Sequence, residues 1–205
     1  MKRKIEKFRN GIFLASSRTY GERFMEPIIR KILGLSESPT GENDALNDNG
    51  EFGEIKCSKV LWTKPKTNSL LERIISENEN NVLTRLIPFA GCYDSKYDAN
   101  IQNIKKHKFD ILIYVMLFED CIKIFKSKSE DISDIPGWSD RHGGEDKVGK
   151  NGQFGIKKHR IKWHLDKTLI HTLTWDEIYE MSKDIIRSKG KKNHWVYKGE
   201  EKDSE

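Results

Sequence analysis

Eight consecutive apolar side chains, Ile111 to Phe118, constrain this chain more than any other stretch. The run is strand length, far short of the ~18–20 residues of a membrane-spanning helix. A strand that is apolar on both faces has to be covered on both, so Asp110–Phe118 is expected at the centre of a sheet. Cys121–Lys126 alternates apolar and polar residues and is expected as its neighbour, nearer an edge, with Glu119-Asp120 as the turn.

The remaining pattern predicts helices around that sheet. Met25, Ile28, Ile29, Ile32 and Leu33 recur at helical spacing, with Gly34 as the stop and Ser17 or Thr19 as the cap. Pro27 requires that this helix be kinked or begin close to it. Asn47-Asp48-Asn49-Gly50 reads as a hairpin turn between a short strand, Glu42–Leu46, and a returning strand, Phe52–Trp62. A helix is expected over 67–77, a strand over Val82–Phe89, a helix over Tyr97–Lys108, and one more strand over Leu169–Leu173. Thr174-Trp175-Asp176-Glu177 is a capping box opening a last helix. The fold class expected is α/β (α+β), a central mixed β-sheet flanked by helices. At 205 residues one domain over 1–188 is expected, with a mobile charged tail at 189–205. The basic start lacks a signal-type apolar stretch, so a soluble, cytoplasmic protein is expected, with no membrane partner. Cys57, Cys92 and Cys121 form no C-x₂-C pair and read as reduced thiols.

One segment carries chemistry. Nine residues separate Asp44 from Glu54-Ile55-Lys56, which heads an apolar stretch that follows a turn. In a strand, period-2 geometry puts Glu54 and Lys56 on one face and Ile55 on the other. Two carboxylates and an ammonium on one patch suit Mg²⁺ and a water held against a phosphodiester. Glu145-Asp146-Lys147 and Glu200-Glu201-Lys202 share the spacing but lack strand surroundings. The bland alternative is a charged pair on the outer face of an ordinary strand.

Asp44 with Glu54-Ile55-Lys56 resembles the PD-(D/E)xK nuclease signature of type II restriction endonucleases, MutH-type nicking enzymes and Holliday-junction resolvases. Several such families also carry a glutamate on the preceding helix, and Gly21-Glu22-Arg23-Phe24-Met25-Glu26 is similar to that element. Asn43 stands where the family name has proline, and Asp48 is an alternative to Asp44. The resemblance covers about residues 20–62 and implies a restriction-endonuclease-like fold with its catalytic core over about 20–126. It further implies a Mg²⁺-dependent type II site-specific deoxyribonuclease that leaves 5′-phosphate and 3′-hydroxyl ends. Asp44, Glu54 and the Ile55 carbonyl would bind the metal, and Lys56 would orient or help deprotonate the attacking water. Glu26 or Glu22 would orient Lys56 or the water. A homodimer on double-stranded DNA is the implied assembly, a monomer the variant.

The net charge of +5 is modest, but basic residues cluster. Lys59, Lys64 and Lys66 follow the motif as candidate phosphate contacts. The glycine-rich loop region at about 127–165 offers Arg141, His142, Lys150, Lys157, Lys158 and Arg160 for DNA. Two rivals are an HNH-type site from His142, Asn151 and His159, and a non-catalytic nucleic-acid-binding protein.

Overall fold

The computed structural model describes residues 1–63, 69–71, 82–141, 151–187 and 195–197. The run that opened the sequence is strand β5, Ile111–Leu117, with every side chain buried. It lies in the middle of a five-stranded mixed sheet. Strand β1 (Ala45–Leu46) pairs antiparallel with β2 (Phe52–Lys59), and β2 pairs parallel with β5. Beyond β5 come β6 (Cys121–Lys128) and β9 (Leu169–Thr174), both antiparallel, giving the order β1-β2-β5-β6-β9. A second, antiparallel sheet has the order β3-β4-β8-β7, from Leu61–Trp62, Tyr97–Ile104, Gly152–Ile156 and Trp138–Ser139.

Alternation along β5 divides the core in two. Ile111, Ile113, Val115 and Leu117 meet helices α1 (Lys2–Leu14), α3 (Glu26–Leu33) and α5 (Trp175–Ser182) through Phe13, Ile28, Ile29 and Ile178. Leu112, Tyr114 and Met116 meet the second sheet through Ala99, Ile101, Phe154 and Ile156. Each fully buried side chain of this kind contributes about 1.5–3 kcal/mol, so both layers are needed to hold so short a sheet. Among the described residues no helix is long and apolar enough to cross a membrane, and the three cysteines are free.

Several expectations hold. Gly34, at φ 63°, ends α3 in the left-handed conformation, and Pro27 occupies its first turn. The Thr174 capping box is formed, with Thr174 and Glu177 exchanging hydrogen bonds.

Others are corrected. The cap before the first site helix is Ser16, whose hydroxyl accepts from the Thr19 N–H. Residues 2–14 form α1, a helix the sequence pattern does not predict. Val82–Phe89 is no strand: Val82–Arg85 is a 3-10 turn, and Leu86 makes only one bridge, to Leu61. β6 lies beside β5 and nearer an edge, as expected, with β9 outside it. Lys123 of β6, a polar position of that alternation, is nevertheless buried, donating to the Thr172 hydroxyl (3.0 Å) and lying over the Phe89 ring. Tyr97–Lys108 is not helical either. Ile101 and Ile104 have helical spacing only because a β-bulge intervenes, with Asn103 at φ 59°. The chain at 155–163 leaves β8 at Ile156 and enters helix α4, Ile161–Lys167. Trp195–Tyr197, placed in a mobile tail by sequence, pair with Ile185–Arg187 as β11 and β10. The helix expected over 67–77 lies largely outside the described residues.

His164 on α4 is fully buried, with Nδ1 2.8 Å from the Tyr114 hydroxyl, which in turn lies 2.5 Å from Thr168 Oγ1. Burial, assisted by the Arg160 charge, pushes His164 down from its ordinary value to about 4. Between about 4 and 6.5 the unfolded chain therefore binds a proton that the folded chain does not. Stability is expected to fall as pH drops through that window, by at most about 1.4 kcal/mol per unit from this residue. Denaturant midpoints at pH 7 and pH 5 test this: His164→Gln should reduce the difference, and an unchanged difference would exclude the residue as its source.

Candidate active site

The hairpin carrying the motif is built by Asn47, whose side-chain oxygen accepts from the Asn49 and Glu51 N–H groups, with Gly50 at φ 81°. Its first strand is only two residues long. Asp44 lies immediately before β1 rather than mid-strand, and its N–H still donates to the Gly53 carbonyl. The chain then leaves, so among the described residues β2 from Ile55 onward has no strand on that side. Side chains satisfy the exposed edge instead: Asp44 Oδ2 accepts from the Ile55 N–H at 2.7 Å, and the Tyr20 hydroxyl donates to the Cys57 carbonyl. Because a residue's N–H and C=O point the same way in a strand, the Ile55 carbonyl also faces this edge.

Glu54 and Lys56 share one face of β2, opposite Leu112 and Tyr114 of β5, and form an ion pair. Glu26 comes from the helical layer. Helices α2 (Ser17–Tyr20) and α3 are joined by a π-helical turn over Gly21–Met25, in which the Glu26 N–H reaches back to the Gly21 carbonyl. Such turns often mark functional positions. Here the turn separates the two candidate glutamates. Glu22 is exposed and paired with Arg18 at 3.0 Å, whereas Glu26 is drawn in toward Asp44. One turn further, buried Arg30 donates Nη1 to the Asp44 carbonyl at 3.2 Å.

The electrostatics show an unbalanced cluster. Burial, and then the Asp44 charge, push Glu26 up to about 9. Asp44 is raised by burial, although Lys56, the Ile55 N–H and Arg30 oppose it. Burial and then Asp44 raise Glu54, against the pull of Lys56 and Lys105. For Lys56, burial acts downward, but Glu54, Asp44 and Glu26 outweigh it and leave the ammonium more stable than usual. Even with Lys105 added, Lys56 and Arg30 thus leave all three crowded carboxylates raised. Asp44, Glu54 and the Ile55 carbonyl are hard oxygen donors suited to a magnesium-like ion, which would remove the excess negative charge. Among the described residues no three His, Cys, Asp or Glu side chains stand together as a metal-holding group. This donor set includes two such side chains and a backbone oxygen.

The nucleic-acid candidates divide. Lys59 does not face outward: its ammonium donates to the Phe13 and Ala15 carbonyls at the end of α1 and lies 4.2 Å from the Tyr20 ring centroid. Arg160 is likewise structural, donating to the Gly155 carbonyl and lying against Gly137, where a Cβ would meet its guanidinium at 1.7 Å. Arg141, Lys157 and Lys158 are exposed around the second sheet. Lys64, Lys66, His142 and Lys150 lie outside the described residues. The HNH alternative also needs His142. Strands β7 and β8 and helix α4 flank that segment in sequence, but their Phe154, Ile156 and Ile161 belong to the core and His159 is exposed.

Sequence reading missed Arg30 and Tyr20. Arg30 had a signal, standing at i+4 from Glu26 on one helix; Tyr20 had none. Lys105, in the basic run 105–108, had no signal that tied it to Glu54. Comparison with protein-family models, with curated proteins and with solved structures finds no match for this chain.

Proposed function

We propose that the chain is a Mg²⁺-dependent, site-specific endonuclease of double-stranded DNA, of the type II restriction class and with a restriction-endonuclease-like core. The observation that carries this reading is the meeting of Asp44, Glu54, Lys56 and Glu26 at an open strand edge, with more buried carboxylate than cation. Mg²⁺ held there by Asp44, Glu54 and the Ile55 carbonyl supplies Lewis-acid polarisation of the phosphate and eases ionisation of water.

The chain's own groups do the remainder. Lys56 is an ammonium, so it donates hydrogen bonds and does not take the water's proton; it aims the water and offsets charge developing on the phosphate oxygens. Glu26, on the helix side, adds a weaker charge attraction for the Lys56 ammonium. Tyr20 and Arg30 hold the strand edge and the Asp44 backbone in place. Water oxygen bonds to phosphorus as the bond to the 3′ oxygen breaks. The water's displaced proton passes to bulk solvent and solvent returns one to the 3′ oxygen, which leaves a 3′-hydroxyl and a 5′-phosphate. Two copies of the chain, one per strand, would complete a double-strand cut.

Plasmid DNA of several sequences incubated with protein and Mg²⁺ tests the class. Discrete fragments are expected. A smear would mean an unspecific nuclease, and DNA bound but uncut under every divalent cation would favour the non-catalytic binding protein.

A further inference from the structure

The outer face of the second sheet has an unusual composition. Along β4, Tyr97, Ala99 and Ile101 point into the core, while Asp98, Asn100 and Gln102 are exposed, and the bulge adds exposed Asn103. Asparagine is disfavoured in strands, and local rules are most often broken where function requires it. Among the described residues the amides of Asn100, Gln102 and Asn103 have no side-chain hydrogen-bond partner. Gly155, opposite Asn100 on β8, makes room for one of them: a Cβ there would lie 3.0 Å from Asn100 Oδ1.

This face adjoins the candidate active site. The Asn100 N–H donates to the hydroxyl of Ser58, two residues beyond Lys56 on the same face of β2. β4 pairs with β3 and therefore runs back alongside β2 in the direction of Glu54. Past the bulge it delivers Lys105, whose charge acts on Glu54. Exposed Lys157 and Lys158 follow β8, and exposed Arg141 follows β7. Uncharged amides with free donors and acceptors are thus bordered by cations, next to the residues that would cut.

We infer that Asn100 and Gln102 read adenines from the major groove of B-DNA, while Lys105, Lys157 and Lys158 hold flanking phosphates. An amide side chain matches adenine N6 and N7 with one donor and one acceptor, and a β-ribbon fits the groove width. The inference rests on the nuclease reading and gives it a sequence preference: the recognition site contains A·T pairs contacted by β4.

The test uses the full chain, a library of randomised duplexes, Mg²⁺ and sequencing of the cut ends. The wild-type protein is expected to cut at a defined site containing A·T pairs. Asn100→Ala and Gln102→Ala are each expected to lose discrimination at an A·T position and to cut the wild-type site roughly 5- to 150-fold less efficiently. Lys157→Ala is expected to weaken binding evenly across sequences and to lower the salt slope by about one. A loss of folding alone cannot alter which bases are preferred. Unchanged preference in both amide variants, or a wild-type site made only of G·C pairs, would overturn the inference and leave the nuclease reading standing. A wild-type protein that cuts nothing would remove both.

Discussion

Lys56→Ala is expected to abolish DNA cleavage, with a loss of about 10²–10³-fold or more in single-turnover rate. Its ammonium is partly buried, paired with Glu54 and acted on by two further carboxylates, whereas Lys105, whose charge also reaches Glu54, is exposed and follows β4 of the second sheet. Arg30 is committed to the Asp44 carbonyl, and Lys59 to the end of α1. Duplex binding, followed by anisotropy, should change far less, because it depends on cations spread over the second sheet. Lys56→Arg should also be inactive, since a planar guanidinium cannot occupy the position of a compact ammonium. The alanine variant should be less stable without metal, because Glu54, Asp44 and Glu26 lose their shared counterion. Cleavage within threefold of wild type would show that Lys56 is only a strand-face ion pair.

Glu26→Gln should separate activity from stability. Glu26 is held up to about 9 in the folded chain against about 4.5 when unfolded, so between those values the folded state carries the extra proton. Stability of the metal-free protein should therefore fall as pH rises through that window, by up to about 1.4 kcal/mol per unit from this group. Glu26→Gln removes the ionisable group and should flatten that slope. Its melting temperature at pH 8 should exceed that of wild type by roughly 2–4 °C for each kcal/mol recovered. Cleavage should nevertheless drop, because the amide cannot ionise where a bound cation would draw the Glu26 carboxyl into its charged form. Glu22→Gln should do neither, since Glu22 is exposed and paired with Arg18. Equal behaviour of the two variants would place the helix carboxylate outside the site.

What could be read from sequence follows from how local each signal is. Ile111–Phe118 announced a central strand because apolar character on both faces has few other meanings. The Asn47–Gly50 turn, the Gly34 stop and the Thr174 box are set by residues within four positions of one another. β4 was misread because a bulge at Asn103 gives a strand helical spacing; β6 was placed correctly, but the burial of Lys123 was not legible because its partner lies across the sheet. The pairing of Glu54 with Lys56 follows from strand period alone. The choice of Glu26 over Glu22 does not, because it depends on a π-helical turn that the sequence does not signal. Lys59 shows the opposite error: a lysine just past a motif looked available for phosphate, yet two carbonyls of a distant helix had already claimed it.

The most direct test is cleavage of end-labelled duplex DNA by wild-type protein and Asp44→Asn, each with and without Mg²⁺. Asp44 holds the Ile55 N–H and contributes one of the two carboxylates assigned to the ion, and asparagine keeps its shape without its charge. Products with 5′-phosphate ends are expected only from the wild-type protein with Mg²⁺, while Asp44→Asn still binds the duplex. Cleavage of equal rate by both proteins, or none by wild type with any divalent cation, would contradict a metal-dependent nuclease site at Asp44, Glu54 and Lys56.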